Sequence, residues 1–372
     1  MLKQQEYLSQ LDGLRAIAIT LVLLYHWFPE NEGINIVANG PLGVTLFFVL
    51  SGFLITRILL SGKNHMPSLG LSSLYRRFLI RRILRIFPLY YLVLFAAGII
   101  PFISFIPEIN TRFYADPFYY MLYLSNFLLE KWHDWSDTLS IFWTLAVEEQ
   151  FYVIWPLVIF GVPQRYLKTV ILTAIGLGMA SRVILAFYGY SEGVLMPACL
   201  DAFGLGALWA LVLFYGLSPG SFLKLLTILV FPAFALFVYF CLHQESTLAR
   251  TLLFRFCTSL FCLYFVARAS YQGGFRSFTG FILENAVVRY LGKISYGLYV
   301  YHMLVPAVLI PLAVKILHRF FNINLVLTET SGKLISLVTL IAVASLSYYF
   351  YEAPFNRFKR YFQLLKVSFQ PS

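Results

Sequence analysis

The sequence predicts an all-α, polytopic membrane bundle of about ten transmembrane helices with one short re-entrant or interfacial segment. Three observations carry that prediction. Only 12% of the 372 residues are charged and 60% are hydrophobic, against roughly 25% charged in an average soluble domain. The apolar residues fall in repeated runs near the ~20 residues that cross a bilayer core; a soluble core would show shorter runs broken by amphipathic periodicity. The basic residues collect at the ends of those runs, Arg76, Arg77, Arg81, Arg82 and Arg85 in one group and Arg357, Lys359 and Arg360 in another. Membrane topology is written in a sequence in this way.

Length and apolarity place the spans at roughly 11–29, 41–61, 83–104, 141–161, 168–188, 196–216, 223–243, 248–268, 290–314 and 333–353. The first is not a cleavable signal, because it carries Tyr25 and His26, ends at Pro29 and lacks a small-residue cleavage site. Connections orient the rest. With the N-terminus in the cytoplasm, the inside connections hold Lys63, Arg76, Arg77, Arg81 and Arg82, then Arg165, then Arg276 and Arg289. The outside connections near 30–40, 189–195 and 244–247 hold no Lys or Arg, and the last outside connection, with Lys315 and Arg319, goes against the pattern. That bias predicts both termini inside, with a short tail at 355–372 and the whole of 1–372 forming one membrane domain. Residues 117–130 are apolar but too short to cross, so about 105–140 is expected outside with this piece dipping into the membrane.

Other classes fall away. The net charge of +11 sits at membrane ends and not on a soluble basic domain, so no nucleic-acid partner is expected. Cys199, Cys241, Cys257 and Cys262 lie in or beside apolar runs without zinc-like spacing, and the six histidines are scattered, so no metal is expected.

Ionisable groups inside spans are costly and mark functional candidates. The first span carries Asp12, Arg15 and His26. Arg15 and His26 are almost three helical turns apart on one face, a rise of about 16 Å. Taken singly, Arg15 also reads as a snorkelling flank, His26 as an interfacial residue and Asp12 as an N-cap. A later span carries Glu148, Glu149 and Gln150. Adjacent helical residues point about 100° apart, so only one of the two carboxylates faces the interior; the bland alternative is a carboxylate tying helices together through an arginine. The run from Gly43 to Phe53 brings small residues, and Ser51 and Gly52 read there chiefly as packing. Arg81, Arg82 and Arg85 precede Pro88, and arginine forks suit phosphate, although topology-setting charge also explains a cluster. Ser295 to His302 and Glu352-Ala353-Pro354 add polar groups late in the chain, His302 being open to a structural or a catalytic reading.

These pieces, in this order, resemble the acyltransferase-3 family of membrane acyltransferases. The matching stretches are Leu11-Asp12-Gly13-Leu14-Arg15-Ala16 followed by His26; Phe47 to Phe53; Arg82-Ile83-Leu84-Arg85 before Pro88; Trp143-Thr144-Leu145 with Glu148; Ser295-Tyr296-Gly297 with His302; and Glu352 with Pro354. The resemblance implies a multi-pass enzyme of the inner (cytoplasmic) membrane, an acyl-coenzyme A donor, expected to be acetyl-CoA, on the cytoplasmic side, and an acceptor hydroxyl at the outer face. Acceptors of the family include O-antigen of lipopolysaccharide, peptidoglycan, exopolysaccharide and lipid-linked oligosaccharides. Some members carry an added SGNH hydrolase-like domain; the end of this chain soon after its last span looks like the stand-alone form.

The expected reaction is acyl transfer from a thioester to a sugar hydroxyl. His26 is the expected general base or covalent acyl relay, with Glu148 as its carboxylate partner. Asp12 lies about 21 Å below His26 in the same helix and is expected to pair with Arg15 at the donor mouth. Arg15, Arg82 and Arg85 are expected to hold coenzyme A phosphates. Ser51, Trp143, Tyr301 and His302 are weaker candidates for lining a substrate tunnel. The rival reading is a transporter or flippase for a lipid-linked or amphipathic substrate.

Overall fold

A computed structural model describes residues 7–30, 32–37, 39–103, 109–190 and 193–362, in which helices and loops occur without any strand. The outer part of the tail expected at 355–372, beyond residue 362, lies outside the described residues, as do 104–108 of the expected outer segment. In chain order the principal helices are α1 (Ser9–Trp27), α2 (Asn39–Lys63), α3 (Leu71–Ile99), α4 (Phe142–Gly161), α5 (Leu167–Phe187) and α6 (Leu200–Tyr215). They continue with α7 (Pro219–Leu242), α8 (Leu248–Ala269), α9 (Ala286–Lys293), α10 (Ser295–Tyr301), α11 (Ile310–Phe321) and α12 (Glu329–Leu346).

Among the described residues, seven helices are long and apolar enough to cross a membrane, and a pair bent by 49°, Ser295–Tyr301 with Val305–Phe321, makes an eighth. Helices α1 and α4 reach spanning length at 19 and 20 residues but carry Asp12, Arg15 and His26, and Glu148, Glu149 and Gln150. Three expected boundaries change. Helix α3 starts at Leu71 and not near 83, because no Gly or Pro interrupts 71–87 and Leu and Arg are good helix formers. The arginine cluster therefore rides on a helix. The expected span at 290–314 is a broken helix, with a π turn at Val305–Leu309 next to Pro306 and Pro311, which lack the N–H that continues a ladder. Residues 117–130 form two short helices, Pro117–Met121 and Ser125–Trp132, parted near Tyr123 at a φ of 55°.

The chain divides into two units. The first comprises Met1–Arg57 and Gln164–Tyr296. Within it α1 packs on the short helix Phe278–Glu284 and on α9, α5 packs on α6, and α8 packs on α6 and α7. Glycines set the closest approaches. A side chain at Gly52 would strike the Phe203 backbone, and one at Gly206 would strike the Val49 carbonyl, so α2 and α6 cross with their backbones in contact. Gly178 does the same for α5 against Asp201. One turn on, Arg182 forms a 2.9 Å ion pair with Asp201, both side chains at most 2% exposed. Its guanidinium also donates to the carbonyls of Ala198 (3.0 Å) and Thr251 (3.2 Å).

The second unit comprises Ile58–Pro163 and Gly297–Ser372. Here α3 packs on α4 and on the segment that follows α12. The C-terminal carbonyls of α4, orphaned by helix geometry, are met by Lys63 Nζ, which donates to Ile159 and Val162 at 2.6 Å each and opposes the helix dipole. Tyr90 and Tyr91 donate to the Tyr120 and Met121 carbonyls at 2.7 Å, tying the first short helix to α3.

Breaking a buried pair leaves an uncompensated charge, at a cost of about 3–5 kcal/mol. Arg182→Met is therefore expected to lower the thermal unfolding midpoint of the detergent-purified protein sharply, whereas Arg182→Met with Asp201→Leu recovers much of the loss. Gly206→Val is expected to prevent accumulation of folded protein, read as loss of the monodisperse peak in size-exclusion chromatography.

Candidate functional site

Helix α1 holds the first set of candidates. Its lower end is anchored by Gln10, which exchanges two hydrogen bonds with the Phe275 backbone (3.0 and 2.8 Å), and by Ser9, which donates to Glu284 at 2.6 Å. Gly292 lies against the Asp12 carbonyl, where any Cβ would collide. Asp12 is buried, and its carboxylate accepts from Tyr7 and forms an ion pair with Arg15. The Arg15 charge is thus met inside its own helix, at the i, i+3 spacing that makes neighbours.

His26 sits in the last turn of α1 with an exposed side chain, edge-on to Tyr25 at 5.3 Å between ring centres. The turn is held by a residue that sequence reading overlooked. Buried Asn35 folds back and donates to the carbonyls of Leu24 and Phe28, both at 3.0 Å, and Asn39 in turn donates to Asn35 at 2.9 Å. The Leu24 carbonyl also receives the Phe28 N–H at 3.2 Å, and Asn35 and Asn39 together form a polar cap that fixes the end of the helix bearing His26. Ser51 lies on α2, one residue before the Gly52 crossing, in the same unit.

Arg82, Arg85, Trp143, Glu148, Tyr301 and His302 belong to the second unit, and His26 to the first. The two carboxylates of α4 differ as their 100° separation requires. Glu148 is half-buried and accepts from the Tyr152 hydroxyl at 3.0 Å. Glu149 is 9% exposed, and one of its oxygens is buried without a hydrogen-bond partner. Its charge faces that of Arg82, whose guanidinium lies 5.5 Å from the Phe78 ring and 5.8 Å from the Tyr152 ring. Flat faces of aromatic rings favour a cation there. Gln150, the third polar group of this run, exchanges hydrogen bonds with Asn126 (2.9 and 3.3 Å), joining α4 to the Ser125–Trp132 helix.

Arg81, Arg82, Arg85 and Lys359 gather around the middle of α3, where Glu352 is a carboxylate whose charge acts on Lys359. Among the described residues none of the four cations is in ion-pair contact with a carboxylate. Such a cluster has the composition of a phosphate site.

The late motif closes on itself. Gly297 lets Glu352 approach to 3.4 Å of where a Cβ would stand. Ser347 links Glu352 (3.4 Å) to the Tyr301 hydroxyl (3.3 Å), inside a π turn at Ser347–Glu352. His302 is fully buried and its Nδ1 donates to the Tyr299 carbonyl at 2.6 Å. The Tyr299 hydroxyl donates to the Ile141 carbonyl (2.9 Å) and meets the Thr144 hydroxyl at 2.6 Å, so His302 braces the start of α4. Trp143 makes an edge contact with exposed Trp135, 6.5 Å between centres. Nearby, hydrogen bonds from Ser136, with Arg112 at 3.0 Å, hold the Asp134 carboxyl below the usual carboxylate range.

The profile of a family described as an acyltransferase domain matches residues 8–352. The chain is 29% identical to YrhL of Bacillus subtilis strain 168 over 387 residues, covering 95% of this chain and 55% of that protein. It is 29% identical over 396 residues to the peptidoglycan O-acetyltransferase OatA of Listeria monocytogenes serovar 1/2a, covering 97% of this chain and 58% of the relative. A stretch of 168 residues, 43% of this chain and 26% of the relative, is 33% identical to the O-acetyltransferase OatA of Staphylococcus aureus strain NCTC 8325. The chain thus spans little more than half the length of the first two of these relatives. No solved structure matches it. A match running from the foot of α1 to Glu352, over a helical chain whose polar groups cluster on α1, α3 and α4, means that this chain belongs to the acyltransferase-3 family of integral membrane acyltransferases.

Proposed function

We propose that the protein is a membrane O-acetyltransferase that moves an acetyl group from cytoplasmic acetyl-CoA to a hydroxyl of an extracytoplasmic glycan. Peptidoglycan is the first acceptor to test, because it stands in the name of the Listeria relative. The observation that carries the reading is the cation cluster on α3, with Arg82 held between aromatic rings and opposite Glu149, in a chain that belongs to this family. Arg82 and Arg85 hold donor phosphates by charge-assisted hydrogen bonds. Arg15, already paired with Asp12, shapes the foot of α1 more than it captures phosphate.

His26 is the base. Its exposed imidazole takes the proton of the acceptor hydroxyl as the oxygen attacks the thioester carbonyl. The carbon–sulfur bond breaks, and the imidazolium returns the proton to the leaving thiolate. In the relay variant, the imidazole nitrogen attacks the thioester carbonyl and releases the coenzyme A thiolate; the sugar hydroxyl then attacks the acetyl carbonyl, the carbon–nitrogen bond breaks to free the imidazole, and the hydroxyl proton ends on the thiolate. Glu148 is the carboxylate assigned to orient and stabilise the imidazolium. The orientation with both termini in the cytoplasmic compartment of the inner membrane rests on the charge of the connections.

Labelled acetyl transfer from acetyl-CoA into glycan, measured in membrane vesicles, tests this. His26→Ala is expected to lower incorporation by about 10²- to 10⁴-fold at unchanged expression; equal incorporation by variant and wild type removes His26 from the chemistry. Arg82→Gln is expected to weaken coenzyme A binding about tenfold to a hundredfold, the worth of one charged hydrogen bond, while Arg82→Lys recovers only part of it. A wild type that neither incorporates label nor binds coenzyme A favours a transport function instead.

A further inference from the structure

The second unit carries a groove of about 480 Å³ that neither donor nor acceptor uses in the reaction above. Its floor is α3, with Leu84, Phe87, Tyr91 and Phe95 along it, and its far wall is Tyr351 and Phe355. The Tyr351 hydroxyl donates to the Pro88 carbonyl at 3.2 Å and pins wall to floor. From Ile83 to Phe95 the floor rises about 18 Å, close to the depth of one leaflet of a hydrocarbon core about 30 Å thick. The groove is open along its side: Ile83 is 40% and Phe95 69% exposed. In a bilayer that side faces hydrocarbon, so an occupant arrives laterally and must itself be an amphiphile.

One end of the groove is cationic. Arg81 stands two turns before Pro88, seven residues and therefore nearly the same side of α3. Lys359 follows Phe355 by one turn and senses the charges of Arg85, Arg82 and Arg81. Arg82 is nine residues from Tyr91, half a turn out of phase, so it lies on the opposite side of α3 from the groove and against Tyr152 of α4. The cluster thus divides, with Arg82 turned toward α4 and Arg81 and Lys359 beside the apolar groove.

We propose that this groove binds an anionic phospholipid, with its phosphate between Arg81 and Lys359 and one acyl chain along α3. Charge complementarity selects the occupant. Two cations at the membrane interface attract a headgroup with net negative charge, and a zwitterionic lipid presents them with its own cation as well. Bound there, the lipid joins α3 to the segment after α12 and neutralises part of a cluster whose members repel one another.

Native mass spectrometry of the full chain, offered equal amounts of phosphatidylglycerol and phosphatidylcholine with the same acyl chains, tests the proposal. One phosphatidylglycerol is expected to be retained with a preference of about tenfold to thirtyfold, the effect of two interfacial cations. The preference is expected to fall to near parity in the Arg81→Gln/Lys359→Gln variant. Leu92→Trp, which fills the groove from its floor and leaves both cations in place, is expected to reduce retention of both lipids. Parity in the wild type, or an undiminished preference in the charge variant, overturns the assignment. Displacement of phosphatidylglycerol by coenzyme A hands the two cations to the acyl donor, and displacement by a polyprenyl phosphate hands the groove to a lipid-linked substrate; either result overturns it too. The readout is lipid retention and not label transfer, so its failure leaves the acyltransferase reading standing.

Discussion

In an apolar solvent a polar group has to find its partner inside the protein, and that requirement organises both units. In the first, Arg182 meets Asp201 and two backbone carbonyls, while Asp12 gathers Tyr7 and Arg15. In the second, Lys63 covers the end of α4 and Gln150 locks onto Asn126. In the first unit, glycine sets the close helix approaches beside two of these groups. Gly178 lies against the Asp201 backbone and Gly292 against that of Asp12, so both buried carboxylates sit at a close helix approach.

The same constraint separates polar groups open to the surroundings from those that hold the frame. His302 is fully buried and donates to a backbone carbonyl, the environment of a bracing residue. His26 is exposed, in a helical turn whose carbonyls are occupied by Asn35. An imidazole that exchanges protons with a substrate needs that access and that fixity together. Glu149 combines burial with an oxygen lacking a hydrogen-bond partner and with a facing cation, an arrangement that is costly within a membrane.

Much of this was legible in the residues. Run lengths and the placement of Lys and Arg mark the helices, because both answer directly to hydrocarbon thickness and surface charge. The 100° step between Glu148 and Glu149 says that only one turns inward, but which one depends on the orientation of α4 against α3. Arg182 and Asp201 are lone charges in two apolar runs that sequence reading passed over, and their partnership requires knowing that α5 and α6 are neighbours. Asn35 carries no sequence signal at all, since its role arises only when the connection folds back onto α1. The start of α3 at Leu71 was readable from the absence of Gly and Pro, but positive charge drew the eye to topology in place of helix propensity.

The sequence by itself determined the solvent, the helical class and the identity of the polar groups inside it, because each follows from composition and spacing along one chain. Tertiary structure alone decided which carboxylate is buried, which histidine is reachable and which of the clustered cations border the groove. Those are properties of the faces that helices present to one another, and a linear spacing fixes the angle between two side chains but not the neighbour that either one meets.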